Sequence, residues 1–451
     1  MLKANISLLL KSENRTLKAG RQIIYSFLLK GISIIVSFIN VPLLLNYFDQ
    51  EKYGIWLTLI SIIGWFGFFD IGLGNGLRNK LAETIALKDY SSGKKYVSTT
   101  YVLLILIFSI VLIIFHVTNI FLDWGSILNT TSVSNHDLYV LTSLAFTFIC
   151  VNFIVQLIGT IYNANQKPAV NDAVNTTAAV LTLIFIYSLI QINITGNLVL
   201  FGAVASAMPL ILFLLLSVYS FHNRLSHLKP SRKLVDFKLG RNLIGLGFRF
   251  FLMQITYVVI FTTSNFFITQ FFGPSEVVSY NIVFKYFQLP IMVFSIIMSP
   301  LWSAVTDAYV SEDYDWLRKT IRRTNVLSIA FSAGILLMII ISKTVFHYWI
   351  GDKVEISMSL VIVISIYALI NVFTAPYSLF INGTGKIRLI STFSLIAIAQ
   401  YFISIFAFSS LIKNSVSIML AIIFTNLPGL IYQPIQTYKI LNKKASGIWN
   451  K

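Results

Sequence analysis

Cysteine is nearly absent: Cys150 stands alone, so no intrachain disulfide can form and thiolate metal spacings are excluded. Charge is scarce too, at 11% of residues, where a soluble domain carries about a quarter. Histidine is thinly spread, and none of His116, His136, His222, His227 and His347 has a partner at metal-site or triad spacing. No loop between apolar runs is long enough to fold separately. These shortages exclude a soluble globule, a disulfide scaffold and a metal centre, and they leave no catalytic constellation and no cofactor motif. The glycine-rich stretch Asp70-Ile71-Gly72-Leu73-Gly74-Asn75-Gly76 closes an apolar run with no strand before it, which argues against a phosphate loop. The chain does not read as an enzyme.

What is present is apolar surface. Hydrophobic residues make up 56% of the 451, gathered in twelve runs over 22–48, 53–77, 96–121, 139–163, 174–194, 198–220, 243–272, 277–306, 325–347, 358–381, 389–411 and 416–438. Each approaches the ~20 residues needed to cross a bilayer as a helix. The expected fold is an all-α polytopic membrane protein with twelve spans. Of the 34 Lys and Arg residues, only Lys52, Lys343, Lys353 and Lys413 fall in odd-numbered turns, beside seven acids; Lys30, Arg249 and Lys285 lie inside spans, and the rest occupy the termini and even-numbered turns. That alternation predicts cytoplasmic N and C termini in a bacterial inner (plasma) membrane. The formal charge of +17 therefore suits anionic headgroups better than nucleic acid. Residues 1–21 read as an uncleaved cytoplasmic segment.

A basic connection over 221–242 separates an N-terminal six-helix lobe, 22–220, from a C-terminal lobe, 243–438, followed by a cytoplasmic tail at 439–451. Weak internal similarity supports two related halves. Ile161-Tyr162-Asn163-Ala164-Asn165-Gln166-Lys167 matches Phe380-Ile381-Asn382-Gly383-Thr384-Gly385-Lys386, and the same offset pairs Asn152 with Asn371. An even number of spans per half implies a pseudo-twofold axis along the membrane normal, with a cavity expected between the halves.

Polar residues inside the spans follow helical spacing. Ser26, Lys30, Ser33, Ser37 and Asn40 share one face of span 1. Asn152, Gln156, Thr160 and Asn163 mark span 4. Span 7 places Arg249, Thr256 and Thr263 seven apart, and Lys285, Gln288, Ser295, Ser299 and Thr306 form a stripe on span 8. Hydroxyls and amides have a plain role as interhelical bonds. Cations at lipid depth cost about 2.5–3.5 kcal/mol each on insertion scales. Lys30, Arg249 and Lys285 either snorkel to an interface or share a cationic cavity. Asp70 and Asp307 either pair with them, carry protons, or sit as ordinary interfacial groups.

Two stretches are more specific than topology. Val41-Pro42-Leu43-Leu44-Leu45-Asn46-Tyr47-Phe48, Tyr53-Gly54-Ile55-Trp56 and Asp70 through Glu83 resemble the first two spans of O-antigen flippases (Wzx type). Ser299-Pro300-Leu301-Trp302-Ser303-Ala304, with Asp313, Asp315-Trp316-Leu317 and Arg322-Arg323, is similar to that family's span 8 exit. The family lies in the polysaccharide branch of the multidrug/oligosaccharidyl-lipid/polysaccharide exporter superfamily. The resemblance implies a flippase that moves an undecaprenyl-pyrophosphate-linked O-antigen repeat unit between leaflets by alternating access. Its expected partners are that lipid-linked oligosaccharide, membrane lipids, and the O-antigen polymerase and chain-length regulator. The physics agrees: a diphosphate needs charge-assisted donors to leave water, and Lys30, Arg249 and Lys285 would supply them. Rival readings are a proton- or sodium-coupled multidrug exporter and a membrane-embedded polysaccharide polymerase or ligase.

Overall fold

Inside hydrocarbon a backbone must satisfy its own hydrogen bonds, which leaves helices and closed barrels. Continuous apolar runs lack the period-two alternation of a barrel strand, so helices remain. The computed structural model describes the backbone of residues 2–70 and 72–450, and their side chains except for 2–23, 68–70, 86, 240–255, 257–258, 299–300 and 303. It is 86% helical, with no strand among the described residues.

The helices are α1 (Leu2–Tyr47), α2 (Gln50–Gly64), α3 (Leu73–Ala86), α4 (Tyr90–Asn119), α5 (Trp124–Ile127), α6 (Asn135–Val155), α7 (Leu157–Ala164), α8 (Pro168–Gln191) and α9 (Leu198–His222). They continue as α10 (Phe237–Phe272), α11 (Pro274–Val310), α12 (Tyr314–Ile350), α13 (Met358–Thr384), α14 (Arg388–Leu411) and α15 (Val416–Leu441). Among the described residues ten helices are long and apolar enough to cross a membrane. The two expected spans outside that set are 53–77 and 243–272. The first is broken. The second lies in α10, whose Val259–Phe272 portion is a shorter apolar helix among the described residues.

The break in 53–77 has a local cause. Helix α2 stops at Gly64, a 3-10 turn runs over Trp65–Asp70, and Gly72 adopts φ +71° before α3. A left-handed backbone suits glycine and interrupts a helix. The turn also needs a small residue: a Cβ on Gly67 would meet the Phe153 ring at 2.9 Å. Span 139–163 is interrupted as well, by Gln156 between α6 and α7.

Other helix ends are stopped and started by side chains. Asp49 accepts from Lys52 N at 2.7 Å, Asp89 from Ser92 N at 3.0 Å, Ser134 from Asp137 N at 3.1 Å and Asn197 from Leu200 N at 2.9 Å. Such caps contribute about 1 kcal/mol each. The hydroxyl and backbone N–H of Ser92 hold the Asp89 carboxyl below the usual carboxylate range.

The chain divides into two compact units: residues 1–52 with 59–255, and 53–58 with 256–451. In the first, α1 packs on α8, where Thr176 donates to the Leu29 carbonyl at 3.2 Å. There α6 packs on α9, and the Phe115 and Phe146 rings stack 3.7 Å apart between α4 and α6. In the second, α13 packs against α11, α12 and α15. Ser328 donates to the Val372 carbonyl at 3.0 Å, and Thr306 to that of Gly383 at 2.9 Å. The middle of α2 belongs to this unit: the Thr58 and Thr269 hydroxyls bond, and Gly54 lies on Pro274.

A Cβ on Gly54 would fall 1.8 Å from the Pro274 carbonyl oxygen, a backbone atom that cannot swing aside. Gly54→Ala should lose about 1–3 kcal/mol, read as a lower melting temperature of the detergent-solubilised protein. Gly334→Ala, on α12 with nothing within 4 Å of the new methyl, should leave stability unchanged or raise it by up to ~1 kcal/mol.

Candidate functional site

In the first unit the polar face of α1 is unevenly covered. Ser26 is buried, Ser33, Ser37 and Asn40 are half-buried, and Lys30 is exposed. Lys30 is eight residues past the start of the apolar run 22–48, about 12 Å along the helix. Ser26 Oγ and Asn40 Oδ1 are buried with no hydrogen-bond partner among the described residues. Buried polar atoms nearly always find partners, water included, and these two suit ordered water.

The interruption at Gln156 makes a second polar feature in the same unit. Gln156, Thr160 and Asn163 converge with Asn171 of α8 on a cavity of about 150 Å³ walled by Leu104 and Phe153. The α7–α8 approach that closes it is tight: a Cβ on Gly159 would sit 2.1 Å from Asn171 Oδ1. Asn163 Oδ1, and Asn152 Oδ1 one turn before Gln156, are buried with no hydrogen-bond partner among the described residues. The space and its lining suit bound water.

In the second unit Lys285 is half-buried on α11, while Gln288 and Ser295 of its stripe are exposed. The stripe continues one turn earlier to Asn281, whose Nδ2 donates to Asn265 Oδ1 on α10 at 3.0 Å. Beside it an aromatic wall forms, with Phe284 stacked on Tyr280 and Tyr367 at 5.8 and 6.0 Å. The span 7 hydroxyls serve packing instead. Thr256 donates to the Ser394 carbonyl at 3.2 Å and Thr263 to the Tyr401 hydroxyl at 3.4 Å, both on α14. Asp307 is exposed near the end of α11. The side chains of Arg249 and Asp70 lie outside the described residues. Lys30 and Lys285 thus belong to different units.

Asn171, Asn265 and Asn281 were not among the residues singled out by sequence. Asn281 carried a signal, being four residues before Lys285 on the same face. Asn171 and Asn265 carried none, because their partners come from other helices.

This arrangement, polar faces and cations on helices that cross a bilayer, matches a known group. The model of a family described as polysaccharide biosynthesis protein matches residues 19–304. The chain belongs to that family. The MatE family model matches residues 250–405. Among curated relatives, a putative O-antigen export protein of Yersinia pseudotuberculosis is 23% identical over 79% of this chain and 81% of its own length. A putative O-antigen transporter of Salmonella typhimurium is 23% identical over 85% of this chain and 86% of its own. The family member's fold resembles an inward-facing multidrug resistance MATE transporter of the MOP superfamily, with a TM-score of 0.71 at 12% identity over 93% of this chain and all of the other. It also resembles the lipid II flippase MurJ in an inward closed conformation, with a TM-score of 0.66 at 14% identity over 94% and 90%. The resemblance read from Val41 to Glu83 and from Ser299 to Arg323 thus meets an independent match, and the protein is a multi-pass membrane protein of the polysaccharide biosynthesis family.

The Asn265–Asn281 bond ties α10 to the Lys285 stripe. A double-mutant cycle with Asn265→Val and Asn281→Val should return a coupling of about 0.6–1.7 kcal/mol, the range for polar pairs between membrane helices. Unfolding in mixed micelles measures it, and strict additivity would remove the bond from the account.

Proposed function

We propose that this polysaccharide biosynthesis family member is a flippase that carries an undecaprenyl-pyrophosphate-linked O-antigen repeat unit from the cytoplasmic to the periplasmic leaflet. The observation that carries the proposal is Lys285, half-buried on a membrane helix at the end of a hydrogen-bonded amide stripe. An ammonium group held at that depth is costly unless protein groups, water or an anion meet it. A diphosphate crossing between leaflets is such an anion, and it needs the same compensation. Lys30 on α1 and Arg249 on α10 complete the proposed binding set. Ser33, Ser37, Asn40, Asn152, Gln156 and Gln288 would meet sugar hydroxyls, and Asp70 and Asp307 are assigned to charge pairing or coupling.

In this reading twelve spans form two six-helix lobes, 22–220 and 243–438, related by a pseudo-twofold along the membrane normal, with both termini cytoplasmic in the inner membrane. The lobes rock to expose the site alternately, and the chain transports without catalysing. The names of the Yersinia and Salmonella relatives support the cargo, and the likeness to MurJ and MATE structures supports the fold.

Lys30→Ala, Arg249→Ala and Lys285→Ala should each slow translocation of fluorescent lipid-linked glycan in proteoliposomes by roughly 10- to 100-fold. That is the worth of one hydrogen bond to a charged group, about 1.5–3 kcal/mol. Protein yield and melting temperature should hold, and Lys→Arg should restore most of the rate. Wild-type rates in all three alanine variants would overturn the cationic site. The same vesicles would expose the rivals, through efflux of an organic cation or lengthening of the glycan.

A further inference from the structure

The connection between α9 and α10 is short, ordered and basic. Residues 223–236 join His222 at the end of α9 to Phe237 at the start of α10. Two short 3-10 turns, Ser226–Leu228 and Arg232–Leu234, bend the segment across α4. Leu225 and Leu228 are buried beneath it, and the His227 ring meets the Tyr90 ring edge-on at 4.9 Å. Two hydrogen bonds pin its backbone: Ser231 N donates to Ser98 Oγ and Asp236 N to Thr99 Oγ1, both at 3.0 Å. A tethered loop of this length would ordinarily wander; this one is fixed on both sides of its second turn.

Depth follows from length. Helix α4 has 30 residues, about 45 Å, which exceeds the ~30 Å hydrocarbon core. Its ends therefore project into the headgroup layer. Ser98 and Thr99 lie eight and nine residues past its first residue, Tyr90, so a segment bound to them crosses near the boundary. The surface there has two chemistries. Arg224, Lys229, Arg232, Lys233 and Lys238 are all exposed. Leu87, Tyr90 and Phe237 are large apolar side chains with 73%, 45% and 60% of their surface open. The nearby acids are committed to caps, Asp89 to Ser92 N and Asp236 to Lys238 N. None of the first four cations forms an ion pair among the described residues.

We infer that residues 223–238 form a prefolded clamp for the anionic headgroups of membrane phospholipids, with the cations on phosphates and Leu87, Tyr90 and Phe237 set into the acyl boundary. Clusters of four or more cations immediately beside a span attract anionic lipid, and an amphipathic rim anchors in the interface. A soluble acidic partner fits less well, because a segment bounded by two membrane helices and tied to a third cannot leave the headgroup layer. Pinning gives the clamp its value: the cations need not lose backbone freedom when lipid binds. The inference goes beyond the transport reading, and its readout is lipid rather than cargo.

The test uses the full chain in nanodiscs of phosphatidylethanolamine and phosphatidylglycerol, with spin-labelled lipids reporting the first shell. The triple variant Lys229→Gln, Arg232→Gln, Lys233→Gln should lose phosphatidylglycerol preference by about tenfold or more at low salt, since each cation near an anionic surface contributes roughly fivefold. The control Lys343→Gln, Lys353→Gln, Lys413→Gln removes equal charge elsewhere and should change it less than twofold. Equal losses in the two triples, or none in the first, would overturn the clamp. The pair Ser98→Ala, Thr99→Val keeps every charge but frees the backbone. It should lower the preference severalfold, and full retention would overturn the claim that order matters. Displacement of phosphatidylglycerol by an equal mole fraction of polyprenyl diphosphate would transfer these cations from the membrane to the cargo and overturn the assignment.

Discussion

Hydrocarbon offers no hydrogen bonds, and the rest of the architecture depends on that. A chain with 56% hydrophobic residues loses little by leaving water, but each peptide group it takes along must be satisfied internally. Helices do this segment by segment, which accounts for the 86% helical content. Hydroxyls along the helices then turn inward to backbone. Ser98, Thr182, Ser264 and Ser394 each donate to the carbonyl four residues earlier. A polar residue in a span is therefore not by itself a binding residue.

Departures from regular helix occur where protein covers them. The 3-10 turn after α2 lies against Phe153, and the interruption at Gln156 opens onto the small amide-lined cavity beside α8. Irregular backbone at membrane depth survives only when buried in protein or facing a polar space. Both breaks are in the first unit and both adjoin Phe153 of α6.

Charge is handled differently at the helix ends, where water is within reach. Lys443 meets Glu312 at 3.0 Å and lies 4.6 Å over the Tyr314 ring. Arg318 bridges Asp315 and the Leu441 carbonyl at 2.9 and 3.0 Å, and Lys439 lies 4.0 Å over the Trp449 ring. Exposed pairs of this sort contribute little individually. Together they tie the α11–α12 turn to the end of α15, and the linker on α4 is the corresponding fixed element of the first unit. Polar order at the membrane surfaces complements apolar packing between them.

The sequence by itself determined that the chain is helical and lies in a membrane, because apolar runs of ~20 residues admit no other solution. Motifs near residues 20–100 and 270–325 also carried the family. Hydropathy averages over a window, so it was blind to a single glycine at φ +71° and merged α2, its turn and α3 into one span. It could not know that Thr256 and Thr263 would be consumed by α14, 138 residues away. Nor could it know that Asn281 would find Asn265, or that residues 53–58 would join the second unit. Those outcomes belong to tertiary structure for one physical reason. In a bilayer every long helix is acceptable to the solvent, so which faces meet is decided by helix-to-helix contacts, and the pattern within one segment does not contain them.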